Sequence, residues 1–136
     1  MLCMNRFLDP ATALQDLAAR LTAPHWTLAG IALCGRLGGC QCRARRFDGG
    51  LTVALTIERP PERAAEICLV LAATSEACDD GLYLDDGRLW LLRRFLPRLT
   101  EVEFDLLLKQ QLTLASLLAY RPSAAGPGMP AIGRLA

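Results

Sequence analysis

The segment Asp85–Leu96, DDGRLWLLRRFL, decides how the chain folds. Asp86-Gly87 is a two-residue hairpin signal, because the tight turn between antiparallel strands wants a left-handed backbone that glycine adopts freely and aspartate tolerates. The strand after the turn is apolar on both sides, with Leu89 and Leu91 on one face and Trp90 and Leu92 on the other. Both faces then need cover, and a chain of 136 residues has limited material for it.

Downstream, Leu99-Thr100-Glu101-Val102-Glu103-Phe104 contains a capping box. Thr100 can accept from the N–H of residue 103, Glu103 can reach back to residue 100, and Leu99 can pack on Phe104. The helix launched there runs to about Tyr120 and turns Phe104, Leu107, Leu108, Leu114, Ala115 and Leu118 inward. It covers one face of the preceding strand. Residues 121–136, rich in proline, glycine and alanine, read as a flexible tail behind a single domain of residues 1–120.

Upstream, Leu82–Leu84 is the partner strand of the hairpin, and Asp79-Asp80-Gly81 separates it from a helix that opens after Pro60-Pro61. That helix carries Ala64, Ile67, Cys68 and Leu71 at helical spacing, and Leu69, Val70 and Ala72 widen its apolar surface beyond one stripe. Further back, CQCRARRF (residues 40–47) alternates Cys40, Cys42 and Ala44 with Gln41, Arg43 and Arg45. After the turn Asp48-Gly49-Gly50, LTVALTIE sets Leu51, Val53, Leu55 and Ile57 against Thr52, Ala54, Thr56 and Glu58. These two runs form a second antiparallel hairpin. Trp26 to Leu37 is read as one strand ended by Gly38-Gly39. A first helix spans about residues 9–22, with Asp9 as N-cap, Pro10 at the first turn, Leu14, Leu17, Ala18 and Leu21 on one face, and Pro24 closing it. The expected order is α-β-β-β-α-β-β-α, an α+β fold whose antiparallel sheet is packed by helices.

The length suits one core that buries about two-thirds of the unfolded chain's surface. Hydrophobic residues make up 52%, above the usual share of about 45–50%, which favours an oligomer or a partner surface. Fifteen basic and 14 acidic residues leave a net charge of +1, so no overall field draws in nucleic acid. The uncharged run Thr22–Gly35 is shorter than the roughly 20 residues of a membrane span, and the N-terminus lacks a secretory pattern. The expected compartment is the cytoplasm, where Cys3, Cys34, Cys40, Cys42, Cys68 and Cys78 stay thiols and no disulfide forms.

Catalytic and metal motifs fare poorly. Cys40-x-Cys42 with Cys34 and His25 offers four soft ligands, but structural zinc sites usually space paired cysteines by two residues, so two core-facing thiols are the simpler reading. His25 is the lone histidine and has no nucleophile motif beside it. Asp79-Asp80 and Asp85-Asp86 suit turns better than a calcium loop. Gly35–Gly39 lacks the spacing and lysine of a phosphate loop. Arg43, Arg45 and Arg46, and again Arg93, Arg94 and Arg98, form two basic groups that could meet phosphates or an acidic peptide, but with no aromatic platform beside them and a near-neutral net charge, solvated sheet faces and rim salt bridges are the better reading. No enzyme activity and no cofactor or metal is expected.

The stretch GLYLDDGRLWLLRRFLPRLTEVEFDLLLKQQLTLASLL (Gly81 to Leu118), with Leu14–Leu21 and GGLTVALTIE (Gly49 to Glu58), resembles the class I chaperones of bacterial type III secretion systems, the family of the Tir and Yop effector chaperones. The likeness covers most of residues 9–120 and departs from the family at Trp26–Leu37. It implies a virulence-associated cytoplasmic homodimer that holds the N-terminal segment of a secreted effector protein in extended form without ATP, and so serves protein transport. Carried onto this chain, it puts effector contacts at Leu14, Leu17, Leu21, Val53 and Leu55, each equally explained as plain core. It puts the dimer interface at Ile67, Val70, Leu71, Trp90 and Leu92. Two alternatives stand beside it: a structural or regulatory subunit of the secretion apparatus, and a cysteine-based metal or thiol protein.

Overall fold

The computed structural model describes residues 5–74 and 80–119. Cys3, Cys78 and the expected tail therefore lie outside the described residues. The elements are β1 (Phe7–Leu8), α1 (Pro10–Arg20), β2 (Thr22–Thr27), β3 (Ala32–Leu37), β4 (Cys40–Phe47), β5 (Gly50–Ile57), α2 (Ala64–Ala72), β6 (Asp80–Asp85), β7 (Arg88–Phe95), β8 (Leu99–Thr100) and α3 (Glu101–Ala119). Strands β2 to β7 form one antiparallel sheet in the order β2-β3-β4-β5-β7-β6, and β1 pairs with β8 in a small second sheet. The α+β class is the expected one.

The local signals act as their chemistry requires. Asp9 Oδ1 accepts from the Thr12 N–H at 2.7 Å and starts α1. At α3 the reciprocal cap is complete: the Glu103 N–H donates to Thr100 Oγ1 at 3.2 Å and the Thr100 N–H to Glu103 Oε1 at 2.9 Å. Asp86 and Gly87 both have positive φ, 56° and 72°, as a two-residue hairpin of strands with right-handed twist requires. Gly50 has φ 135°, and a Cβ there would run into the Phe95 carbonyl oxygen of β7.

One expectation needs correcting. The stretch expected as a single strand, Trp26–Leu37, holds the end of β2, a turn and all of β3, so four strands of the main sheet precede α2 instead of three. The first helix ends at Arg20, and Pro24 sits inside β2. Proline is tolerated there because β2 is an edge strand and carries a bulge between Thr22 and His25. The turn between β2 and β3 passes through left-handed Leu28 (φ 53°) and Ala29 (φ 55°), residues that carry no turn signal. The small β1–β8 sheet was also unforeseen. It ties the N-terminal segment to the start of α3, where the N–H groups of Glu101 and Val102 find Arg6 O and Asn5 Oδ1.

One face of the sheet carries the core. Leu33, Cys42, Ala44, Leu51, Val53, Leu55, Ile57, Leu89, Leu91 and Phe95 point to it and join Leu14 and Leu17 of α1, Ile67 of α2, and Phe104, Leu108, Leu114 and Leu118 of α3 in a single buried cluster. Helix α1 packs on β3, β4 and β5, α3 on β5 and β7, and α2 against α3. Arg20 links the first and last helices through Asp105 at 2.6 Å.

Two polar devices lie within this apolar layer. Arg93 grips Asp80 with both Nε and Nη2, at 2.5 and 2.7 Å, and its Nη1 reaches Gln110 Oε1 and the Leu107 carbonyl of α3. Their side chains are 5% and 0% exposed, so the pair locks the β6–β7 hairpin under α3. Gln111 is fully buried and donates from Nε2 to the carbonyls of Val53 and Leu91, while its Oε1 has no partner among the described residues.

Candidate functional site

The other face of the sheet has a different composition, set by the same alternation. Strand register places Ala32, Arg45, Thr52 and Arg94 in one row across β3, β4, β5 and β7. Cys34, Arg43, Ala54, Leu92 and Gly81 form the next row, which reaches β6. Trp90 and Tyr83 stand side by side in a third. Among the described residues no helix packs on this side, and its buried members Ala54, Trp90 and Thr56 lie outside the core cluster.

Trp90 nevertheless finds cover within the chain, contrary to the expectation that this side of β7 lacks it. The Arg43 guanidinium lies 3.9 Å from the Trp90 ring centroid, Tyr83 stacks on the ring at 6.2 Å with planes 10° apart, and the indole N–H donates to the Asp85 carbonyl at 3.1 Å. Arg43 is held over the ring by the Asp85 carboxylate at 2.5 Å. Burial opposes the charge on Arg43, but the hydrogen bonds it donates to Asp85 and Tyr83 hold its pKa above the ordinary value. Burial raises the Tyr83 phenol against the pull of Arg43. Trp90 is left 1% exposed.

Around that capped tryptophan the face is hollowed. A depression of about 660 Å³ lies between the β4–β5 turn and β7, bordered by Phe47, Gly50, Thr52, Gly81, Leu92 and Arg94. It continues through Thr52 and Leu92 into one of about 230 Å³ flanked by Arg43, Arg45, Cys34 and Ala54. A further hollow of about 390 Å³ lies beside His25, Arg36 and Trp90. Small side chains make the floor, and arginines make the walls.

Most of the residues singled out from the sequence fall on the helix side or in the interior; Trp90 and Leu92 stand on the open face. Leu14, Leu17, Leu21, Val53 and Leu55 are all buried core, from 0 to 8% exposed, so in this state none of them presents a surface to a partner. Of the interface candidates, Ile67 and Trp90 are enclosed within the chain, Leu71 packs against the core, Leu92 floors the open face, and Val70 is exposed beside Leu69 on α2. The sequence offered Arg43 and Arg45, and separately Arg94, as basic groups that could meet an acidic peptide, but favoured solvated sheet faces; that they wall one small-residue floor follows only from the β4-β5-β7 order.

The thiol constellation does not converge. Cys40 and Cys42 point to the helix face, while Cys34 and its register partner His25 point to the open one. Burial pushes the Cys42 thiol up to about 12 and raises Cys40 as well, which opposes the thiolates that a soft metal needs. Among the described residues no group of three or more histidine, cysteine or acidic side chains could hold a metal ion. None of their helices is long and apolar enough to cross a membrane. No protein-family model and no curated protein matches the chain.

Proposed function

We propose that the protein is a non-enzymatic cytoplasmic chaperone of type III secretion, which binds the N-terminal segment of an effector and keeps it competent for export. The observation that carries the reading is the sheet face left uncovered among the described residues, an apolar floor between arginine walls, in a fold whose element order resembles that of the class I chaperones apart from one added strand in the main sheet and the two-residue strands β1 and β8. Its proposed work is binding, with no chemical step. Strand β6 adds a second means of contact, because among the described residues it pairs only with β7 and leaves its outer edge open to an extended peptide. Helix α2 supports a homodimer: Leu69 is 74% exposed and Val70 43%, an apolar patch that a second subunit would bury.

The test is co-purification from the native host under gentle conditions, followed by identification of the partner and limited proteolysis of the complex. A secreted effector protected over its N-terminal segment is expected. A stable monomer recovered without a partner contradicts the reading.

A further inference from the structure

The net charge of +1 hides an uneven placement. Among the described residues, Arg36, Arg43, Arg45, Arg88 and Arg94 stand on the open face, against Asp85 on β6 and Glu58 just past β5. Of the five arginines only Arg43 has a carboxylate partner among the ion pairs of the described residues. Arg45 and Arg94 flank Thr52 from the strands on either side, which sets their backbones roughly 10 Å apart, about the width of one helix or one extended segment with its side chains.

We infer that this face takes an acidic amphipathic segment of a partner polypeptide, its carboxylates against Arg45 and Arg94 and its apolar side chains in the hollow over Thr52 and Leu92. The inference deepens the chaperone reading by naming the chemistry of the bound segment, and rests on that reading only for the partner's identity. Charge complementarity selects the occupant. A second copy of this chain would set arginines against arginines, at a repulsive cost. A nucleic-acid strand would want a row of aromatic rings free to stack, whereas Trp90 is roofed by Arg43, leaving Phe47, 47% exposed with the Arg45 guanidinium 5.1 Å from its ring centroid, as a single platform. Arginine also suits carboxylates through its two-pronged donor geometry.

The test uses two synthetic amphipathic peptides of equal length, one built of glutamate and leucine and one of lysine and leucine, with oligo-dT as a third probe. Binding to the full chain is measured by fluorescence anisotropy. The Glu/Leu peptide is expected to bind in a salt-sensitive way. Affinity should fall by about tenfold or more in the double variant Arg45→Glu/Arg94→Glu and in Thr52→Trp, which fills the floor without changing charge. Lys109→Glu, a charge reversal on α3, should leave it unchanged. Arg45, Arg94 and Lys109 are exposed, so these reversals leave the core intact. Equal binding of the Lys/Leu peptide, tighter binding of oligo-dT, or an unchanged affinity in the double variant overturns the inference. Peptide binding needs no native effector, so it can succeed where co-purification fails. Conversely, an effector that the double variant retains refutes this surface and leaves the chaperone reading standing.

Discussion

The two faces of the sheet are made from the same strands by the same two-residue period, yet they are closed by different means. On the helix side, leucines and phenylalanines meet three helices, and the charged pair buried among them, Arg93 with Asp80, is neutralised. On the open side, the largest apolar side chain, Trp90, is sealed by an arginine, a tyrosine and a backbone carbonyl. A strand that is apolar on both faces therefore does not require a helix or a second subunit on each. A cation held by a carboxylate can roof one aromatic ring and leave the rest of the face free for a partner.

The largest effect that would sharpen this contrast is at Arg93. Truncation to alanine strands Asp80, whose side chain is 0% exposed, and is expected to cost about 3–5 kcal/mol in urea unfolding. A loss below about 1 kcal/mol would mean that the pair is solvated and the helix side less dry than described. On the open side, Arg43→Ala is expected to cost about 1–2 kcal/mol. In a Trp26→Phe background it should also shift Trp90 emission to longer wavelength as the ring meets water. Emission that stays put would show that Arg43 is not the roof. Gln111 is a weaker point of the helix side, because its Oε1 is buried without a partner among the described residues. Gln111→Met should be neutral or stabilising by up to about 1 kcal/mol, and a large loss of stability would show that the amide is satisfied.

Cysteines on opposite faces give the gentlest comparison. Cys34, only partly buried on the open side, should react with iodoacetamide in the native protein, whereas Cys42, buried and with its thiol pushed up to about 12, should not. The same shift sets a pH dependence. The folded Cys42 pKa lies above the ordinary 9.0, so its contribution to stability is complete below that value and is lost as pH rises from there towards about 12. Over that interval wild type should lose more stability than Cys42→Ala. Equal losses would place Cys42 in a wetter site.

Much of the helix side was legible in the sequence because its signals are local. Cys40, Cys42 and Ala44 alternate with Gln41, Arg43 and Arg45, Asp86-Gly87 marks its turn, and Thr100 with Glu103 marks the start of α3. The β2–β3 hairpin was not legible, since its turn forces Leu28 and Ala29 into a left-handed backbone that neither residue advertises. Gln111 sits at a core position of α3 with a polar side chain, and only the sheet carbonyls of Val53 and Leu91 explain it. The open face was the least legible part. Its chemistry arises from pairs such as Arg43 over Trp90 and Arg45 with Arg94 on either side of Thr52, which are distant in sequence and come to one face only once β5 lies between β4 and β7.

The most direct test of the open face as the partner surface is amide shift mapping of the isotope-labelled protein titrated with the Glu/Leu peptide. Perturbations gathered on Thr52, Ala54, Gly81 and Leu92 are expected, with the outer residues of α2 and α3 unmoved. Perturbations confined to Leu69, Val70 and Leu106 would contradict it and assign binding to the helices.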